Sequence, residues 1–486
     1  YFSSELKGLL EVPGWDRGLD KAALWHYFSL AYIPGDRTPY LGARELSGGR
    51  LIEADLESGR FAERRYYKPD LAPDDTISEA GAAEEIRRLM RGAVARSLDT
   101  DAPSGMTLSG GVDTSVMLGL AREAGLAGRL HTFSIRMDEP SFDEGRYQRL
   151  MAAYAGTVHH EVKVGPEEVL GCLLSTAAHL DEPSGDGAAA PSFLLAREAS
   201  RHVKVLLSGE GGDEIFSAYE THRACRARAA WRRWMPGPAR AAARSLAAML
   251  PVSNSKLSFD FLAKRFTEGA ELDAPEAHYF WRHSAGEEEK PRLLTCPPPS
   301  PSTPGLFREM FDSLPYPDEL SRLAAIDLRY YFIDDLMVKN DRPFMASSVE
   351  TRFPYMERDI ASFALRIPPS FKVKGLKGRC VQKLAFRDIV PAKILDRPNM
   401  GLEMPHSLWF FGGFRDLAEK YFSRDSVEGT GLLRHGEVRR LWEDHLSRRR
   451  DNGRTLWCVL NFIIWFDLFV RKGDYKAHLT GPGVRP

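Results

Sequence analysis

The stretch Met106-Thr107-Leu108-Ser109-Gly110-Gly111-Val112-Asp113-Thr114-Ser115 decides the fold of this chain. A short apolar run enters a glycine-containing turn, and Thr114 to Ala121 then predicts the first turns of a helix. Without a Cβ, Gly110 and Gly111 allow the backbone to approach an anion closely. Free N–H groups at the start of a helix lie at the positive end of its dipole and favour phosphate. The stretch therefore predicts a strand, a phosphate-binding turn and a helix.

Hydroxyl and carboxylate side chains surround this turn. Ser109, Thr114 and Ser115 add hydroxyl donors, and Asp113 is suited to hold a cation that balances phosphate charge. No lysine follows the glycines, which excludes the GxxxxGK-S/T phosphate loop. Taken by itself, the turn also fits an ordinary connection between a strand and a helix.

A second turn of the same kind follows about one hundred residues later. The apolar run Val203 to Leu207 leads into Ser208-Gly209-Glu210-Gly211-Gly212-Asp213-Glu214. Ligands bind at the carboxyl ends of the strands in open parallel sheets, so we expect the two turns to form two walls of one crevice. Acids at a helix start are favoured by the helix dipole alone, which explains Asp213 and Glu214 without any function. Glu210 lies between glycines, where no helix needs a cap, and is the stronger functional candidate.

A third block reads DRPFMASSVETRFPY from Asp341 to Tyr355. Together with SGGVDTS and LLSGEGGDEIF, it resembles the synthetase domain of the glutamine-dependent asparagine synthetases. SGGVDTS by itself is similar to the SGGxDS loop of ATP pyrophosphatases, which cut ATP between the α and β phosphates. The three blocks stand in the order and at the separations of that family. The resemblance covers residues from about 80 to about 410 well and the remaining tail weakly.

Strand and helix patterns alternate through this region. Apolar residues recur at helical spacing from Glu84, and strands are predicted at Arg129 to Arg136 and Val158 to Val164 with a helix at Glu144 to Ala155 between them. This alternation predicts an α/β fold with a parallel sheet covered on both faces. The resemblance implies a doubly wound sheet, adenine nucleotide α-hydrolase-like, with a helical carboxyl-terminal part, over residues 80–475.

Residues 1–75 resemble the end of the family's glutaminase domain, an α+β amidotransferase domain, beginning with YFSSELKGLL. In the family that domain opens with a cysteine that attacks the glutamine amide. No cysteine precedes Cys172, so we expect this chain not to hydrolyse glutamine. Because the first residue is Tyr1, we favour a piece of a longer protein over natural loss of the domain.

Composition limits the other function classes. The formal net charge of −1 gives no global attraction to nucleic acid or to an anionic membrane. The 5 cysteines are scattered without a CxxC pair, which argues against a disulfide framework or a zinc site and fits the cytoplasm. No apolar run reaches about 18 residues, so we expect no membrane span and interpret Leu456 to Val470 as a buried helix.

Three histidines and an arginine-rich run are interpreted as structural or solvated rather than as a metal site and a nucleic-acid surface. His131, His159 and His160 lie in predicted strands without a ligand spacing, and we interpret them as structural or solvated. The arginine-rich run that follows residue 220 carries no nucleic-acid-binding motif and is interpreted as solvated helix faces.

The resemblance implies ATP-dependent amide-bond formation. In the family, the aspartate side chain attacks the α-phosphate of ATP, pyrophosphate leaves, and ammonia displaces AMP from the acyl-adenylate. The ATP-binding residues that it implies are Leu108 and Ile135 around the adenine and Ser109, Gly110, Gly111, Asp113, Thr114, Ser115, Ser208 and Gly209 along the phosphates. It implies Mg²⁺ held by Asp113 and Asp213, and Arg342 facing phosphate charge. Partners are then a small-molecule carboxylate and ammonia, which comes from glutamine in the complete protein; a homodimer is left open.

Three further residues carry expectations about the substrate. Glu350 and Arg352 position it, or instead form a buried ion pair between two helices. Glu210 is the candidate general base for ammonia, a role that contributes about 100-fold or more. Related lactam-forming synthetases carry tyrosine at that place, so Glu210 favours transfer of ammonia over ring closure.

Asn399 is a departure from the family, which has a catalytic lysine at that place. Removing one donor of this kind raises the barrier of the reaction by about 3–4 kcal/mol. One interpretation is that the positive charge of Lys372, Lys374, Lys377 or Arg379 compensates for the missing lysine. The loop from Asp181 to Gly187 keeps the family's DEP opening and then diverges. The acceptor is therefore open between aspartate and another acid, including macrolactam closure, and a weakened nucleotide-binding paralogue is a further alternative.

Overall fold

The strands that flank the two serine–glycine turns lie in one sheet in the computed structural model, which describes residues 1–70, 72–253, 255–256 and 258–479. In those ranges the strands are β1 Arg50–Ala54, β2 Phe61–Arg65, β3 Ser104–Thr107, β4 His131–Arg136, β5 Val158–Lys163, β6 Val205–Leu207 and β7 Glu350–Arg352. β1 and β2 form an antiparallel hairpin. The other strands form a parallel sheet in the order β5-β4-β3-β6-β7. The fold is therefore mixed α/β.

Helices make up most of the remaining described chain. The first half contains α1 Leu6–Leu9, α2 Lys21–Leu30, α3 Glu79–Leu98, α4 Val112–Glu123, α5 Gly145–Ala155, α6 Pro166–Leu180, α7 Ala189–Ala199, α8 Gly212–Ile215, α9 Glu220–Trp234, α10 Gly237–Ala248, α11 Phe259–Gly269 and α12 Ala274–Arg282. The second half contains α13 Lys290–Leu293, α14 Thr303–Ser313, α15 Glu319–Ile326, α16 Val338–Met345, α17 Arg358–Arg366, α18 Pro369–Lys372, α19 Cys380–Phe386, α20 Ala392–Leu395, α21 His406–Trp409, α22 Arg415–Tyr421, α23 Arg424–Glu428, α24 His435–Leu446 and α25 Gly453–Phe466. A π-helical segment, Asp327–Met337, joins α15 to α16.

Both faces of the parallel sheet are buried at β6. Val205 and Leu207 belong to the apolar cluster that contains α3 and α4, whereas Leu206 belongs to a cluster with Phe133 and α7. Successive side chains of a strand point to opposite faces, so a continuous apolar run is what a doubly covered strand requires. The expected coverage by helices on two sides is confirmed at β6.

The strand order reverses at β3. From β3 the chain adds β4 and β5 on one side, then crosses to β6 and β7 on the other. The reversal places the turns that follow β3 and β6 side by side at the carboxyl ends of adjacent parallel strands, where open α/β sheets bind ligands. β7 was not predicted, because its three residues lie inside the third sequence block and show no strand pattern.

A second apolar core joins the two ends of the described chain. α2 and α25 belong to one buried cluster, and the Tyr27 hydroxyl donates to the Cys458 carbonyl at 2.8 Å. The helix from Gly453 to Arg471, α25 with its π-helical continuation, spans 19 residues with a mean hydropathy of 1.4, enough to cross a membrane by length and composition. However, 89% of its most apolar window is buried inside the protein, as in a core helix. The predicted buried helix is confirmed and is longer than predicted.

Candidate active site

The two serine–glycine turns contact each other directly. A Cβ placed on Gly209 would lie 2.8 Å from the Thr114 Cγ2 atom, and one placed on Gly212 would overlap the Asp113 carboxylate. Contacts between real Cβ atoms and other heavy atoms are not this short. Glycine at 209 and 212 therefore allows the turn after β6 to pack against the first turn of α4.

The first turn depends on glycine for a different reason. Gly110 has a φ of 71°, and a Cβ there would lie 2.8 Å from the Gln148 backbone nitrogen. Gly111 caps α4, and its N–H donates to the Ser109 hydroxyl at 3.2 Å. Within a helix the first-turn N–H groups have no carbonyl partner, so α4 presents donors at this edge of the sheet.

Arg379 joins the two turns electrostatically. Its Nη1 donates to the Asp113 carboxylate and its Nη2 donates to the Asp213 carboxylate. Arg379 is buried, and its backbone is left-handed, with φ 58° and ψ 27°, at the residue that caps α19. One guanidinium thus lies between the two acids that the resemblance assigned to Mg²⁺.

Two neutral side chains complete this ion-pair network. Gln382 Nε2 donates to Asp113 Oδ1 at 2.8 Å, and Asn399 Nδ2 donates to Asp213 Oδ1 at 3.1 Å. Burial raises the pKa of Asp113, and Arg379 opposes that shift. Asn399 therefore supplies a hydrogen bond and Arg379 supplies the positive charge.

Glu210 lies in the same turn as Asp213, beside a buried lysine. Lys339, on α16, is 7% exposed and forms a 2.9 Å ion pair with Asp186. Burial disfavours the charged lysine, but Asp186 and Glu210 outweigh it and raise the Lys339 pKa. Burial also raises the pKa of Glu210, and Lys339 opposes this. Glu210 is consequently a carboxylate with increased proton affinity close to a fixed positive charge.

These groups line one cleft of about 200 Å³. The predicted residues among its lining are Leu108, Ser109, Gly111, Asp113, Thr114, Ile135, Ser208, Gly209, Glu210, Asp213 and Asn399. At one end, the Leu108 N–H donates to the Phe133 carbonyl at 2.8 Å, and Gln148 Nε2 donates to the Ile135 carbonyl at 3.0 Å. A larger cavity of about 510 Å³ lies next to α11 and, among the residues that the structure describes, shares only Phe142 with this lining.

Five predicted residues lie outside the lining of the cleft: Gly110, Ser115, Arg342, Glu350 and Arg352. Gly110 still shapes the turn, and its carbonyl accepts from Arg397 Nη1 at 2.6 Å. The Ser115 hydroxyl is buried without a hydrogen-bond partner.

The two predicted arginines outside the lining form ion pairs instead. Arg342 Nη1 donates to Asp181 at 2.8 Å and to Glu182 at 2.9 Å, which neutralises it away from the two glycine turns. Arg352 Nε donates to Glu350 at 2.8 Å, within β7 rather than between two helices. The alternative interpretation of Arg352 and Glu350 as a buried ion pair between helices therefore has the right partners, but the pair lies in a strand and Glu350 is exposed.

Asp113 and Asp213 offer ligand atoms of the type that Mg²⁺ prefers. Carboxylate oxygens are the ligands that this ion prefers, and a single guanidinium reaches both Asp113 and Asp213, so the two acids are close together. Arg379 is a competitor for the same oxygens, and a metal would share them or displace it.

The sequence did not assign two cations of the site. Lys339 was missed, and Arg379 was named only as one of four residues that could compensate for the missing lysine. Lys339 stands two residues before Asp341 in the third block, so a motif signal was present. Arg379 is 266 positions from Asp113, and only the folded chain reveals that contact.

Comparisons with known proteins identify the family of this chain. A family model described as asparagine synthase matches residues 85–467. Asparagine synthetase (glutamine-hydrolyzing) 1 of Bacillus subtilis strain 168 is 27% identical over 480 residues, covering 99% of this chain and 74% of the relative. A Mycobacterium bovis protein is 29% identical over 468 residues, covering 96% of this chain and 70% of the relative. Its name assigns it provisionally as a glutamine-hydrolyzing asparagine synthetase. The family model covers most of the sequence, and this chain belongs to the asparagine synthase family of carbon–nitrogen ligases.

Proposed function

We propose that this chain activates a carboxylate with ATP, releases pyrophosphate and transfers the acyl group to ammonia to form an amide. The observation that carries this proposal is the direct packing of the turn after β6 on the turn after β3, with Arg379 bound to an acid from each. The triphosphate of one nucleotide would lie along both turns.

The first step breaks the bond between the α-phosphate and the β-phosphate. A substrate carboxylate oxygen attacks the α-phosphorus, and the pyrophosphate leaves with the electron pair of the broken bond. Negative charge develops on the phosphate oxygens, and preorganised donors are most effective in a site of low dielectric. We assign that role to Arg379, to the Ser109 and Thr114 hydroxyls and to the first-turn N–H groups of α4.

The second step forms the amide. The ammonia lone pair attacks the acyl carbon, AMP leaves with the electrons of the acyl–oxygen bond, and the nitrogen loses a proton. We propose that Glu210 accepts this proton, because its raised pKa makes it a better base than an ordinary carboxylate. Lys339 then stabilises the carboxylate before the proton arrives.

Aspartate is the acceptor that we propose first, since the relatives are named as asparagine synthetases. A different acid is the second candidate, because Asp186 of the diverged loop already occupies Lys339. We further propose that Asp113 and Asp213 hold Mg²⁺, which would neutralise pyrophosphate charge when bound. The boundary between residues 75 and 80, a doubly wound α-hydrolase-like architecture and a cytoplasmic location stay predictions.

Pyrophosphate release tests this proposal. The chain is incubated with ATP, an ammonium salt and either aspartate or another acid, and the product is identified by mass spectrometry. Acid-dependent exchange of labelled pyrophosphate into ATP measures the first step alone. Pyrophosphate release and asparagine formation with aspartate are the expected results.

Three other outcomes are informative. Amide formation only with another acid would replace aspartate as the acceptor and keep the reaction. Formation of a ring from one substrate without ammonia would indicate macrolactam closure. ATP binding without exchange for any acid would contradict the proposal and favour a nucleotide-binding paralogue.

Glu210→Gln separates the two steps. We expect exchange of pyrophosphate to persist and amide formation to fall by about 100-fold or more, the usual contribution of a general base. Glu167→Gln is the matched control, because Glu167 is exposed on α6, outside the cleft lining. Equal loss of both steps in Glu210→Gln would remove the general-base role.

A further inference from the structure

Three histidines from β4, β5 and the segment before β6 meet beside the parallel sheet, and none of them lines the cleft. His131 begins β4, His160 is the third residue of β5, and His202 lies between α7 and β6. One ligand atom from each lies within 4.8 Å of the others. Their sequence pattern indicated structural or solvated side chains for His131 and His160, and His202 is 42 positions further along the chain.

The three rings are arranged for a shared ligand. His131 Nδ1 and His160 Nε2 lie 2.9 Å apart, and their ring planes differ by 11°. The His160 and His202 ring centroids are 4.2 Å apart. Tetrahedral zinc with bonds of about 2.0–2.1 Å places its nitrogen ligands about 3.3 Å from one another, so the His131–His160 pair has to open by about half an ångström to share an ion.

A fourth ligand is available next to the cluster. Glu198 Oε1 lies 3.4 Å from His202 Nε2, while its other carboxylate oxygen accepts from Arg201 at 2.8 Å. All three histidines are partly exposed, so an ion can enter from solvent. Neutral imidazole is a ligand suited to divalent transition metals, and an ordinary histidine is mostly neutral above pH 7.

We propose that His131, His160 and His202 bind one divalent transition-metal ion, with Glu198 or water as the fourth ligand. None of the three histidines lines the proposed ATP cleft, but the cluster is its neighbour: Phe133, which lines the cleft, stacks on His160 with ring centroids 4.9 Å apart. The ion would connect β4 and β5 to the segment that precedes β6. Because it binds the folded arrangement, it would stabilise the native chain in proportion to its free concentration.

Zinc titration of the chain tests this proposal without any measure of activity. Isothermal titration calorimetry in a buffer free of nucleotide and phosphate should give one Zn²⁺ per chain, and Zn²⁺ should raise the melting temperature reversibly with EDTA. His160→Gln should weaken Zn²⁺ binding by at least about 100-fold, more than the loss caused by changing an outer-shell partner.

His159→Gln is the matched control. His159 is the neighbour of His160 in β5, and its Nδ1 lies 2.9 Å from the Thr132 hydroxyl instead of facing the cluster. Zinc affinity should be unchanged in this variant. If His160→Gln does not fold, His202→Gln replaces it, because His202 lies outside the strands. Wild-type zinc affinity in His160→Gln or His202→Gln would overturn the proposed site. A loss of zinc affinity in His159→Gln equal to the loss in His160→Gln would overturn it as well.

Discussion

Gly212 lies so close to Asp113 that a Cβ on Gly212 would overlap the Asp113 carboxylate. These residues are about one hundred positions apart and belong to α8 and α4, whose preceding strands, β6 and β3, are hydrogen-bonded neighbours. The contact fixes how closely the two walls of the cleft approach each other. Packing at this point, rather than any single polar contact, sets the width of the proposed phosphate site.

Gly212→Ala tests this packing. The added methyl group must displace the Asp113 carboxylate, so we expect pyrophosphate release to fall by at least about 10-fold, since small misplacements of reacting groups cost as much as 100-fold. Gly171→Ala is the control, because a Cβ at Gly171, on α6, would meet no atom within 4 Å. Unfolding experiments should show that the control is neutral or slightly more stable, as alanine is the better helix former. Full activity in Gly212→Ala would contradict the packing argument.

Arg379→Met removes the cation that Asp113 and Asp213 share. Leaving the buried Asp113 and the half-buried Asp213 without their partner should destabilise the chain by about 3–5 kcal/mol and reduce pyrophosphate release strongly. Denaturant titration measures the first effect and the pyrophosphate assay measures the second. Arg387→Met, an exposed arginine just after α19, should change neither quantity. Unchanged pyrophosphate release in Arg379→Met would show that the guanidinium has no role at the phosphates.

Asn399→Lys restores the family's lysine beside a cation that is already present. Arg379 donates to Asn399 Oδ1 at 3.4 Å, so we expect the new ammonium to add little or no activity to the wild type. In the Arg379→Met background the same change should recover part of the lost pyrophosphate release. A double-mutant cycle of the four proteins measures the coupling between the two positions. A large gain from Asn399→Lys alone would mean that Arg379 does not replace the lysine.

Glu214 should make stability depend on pH. Burial, with Asp213 and Glu210 nearby, raises the pKa of Glu214 to about 8, well above the ordinary range of a glutamate. An unfolded chain releases this proton above its ordinary pKa of about 4.3, whereas the folded chain keeps it, so stability falls as pH rises from there through about 8. We expect the melting temperature of Glu214→Gln to rise relative to that of the wild type as pH increases from 5 to 9. Parallel curves would contradict the raised pKa.

Local patterns were sufficient to predict the elements around the two turns. The strand before Ser109, the helix after Asp113 and the strand ending at Leu207 lie where apolar runs and glycines indicated. Such signals are local, because turn residues and apolar periodicity act within a few positions. The convergence of the two turns followed from the rule that parallel strands carry ligands at their carboxyl ends.

Long-range partners could not be predicted in the same way. Arg342 has a charge suited to phosphate, yet Asp181 and Glu182 pair with it, and no local pattern specifies that choice. The same applies to His202, which meets His131 and His160 only when α7 returns to the sheet. A sequence pattern does not distinguish one basic side chain from another as a phosphate ligand. Tertiary packing decides which of them reaches the site.

The left-handed backbone of Arg379 has an evolutionary consequence. Non-glycine residues adopt that conformation at a cost of about 1–2 kcal/mol, so a mutation to glycine would relieve the backbone. The same mutation would delete the guanidinium. That loss costs about 3–5 kcal/mol, more than the backbone relief returns, so selection for thermostability and selection for turnover both retain arginine at this codon despite its unfavourable backbone.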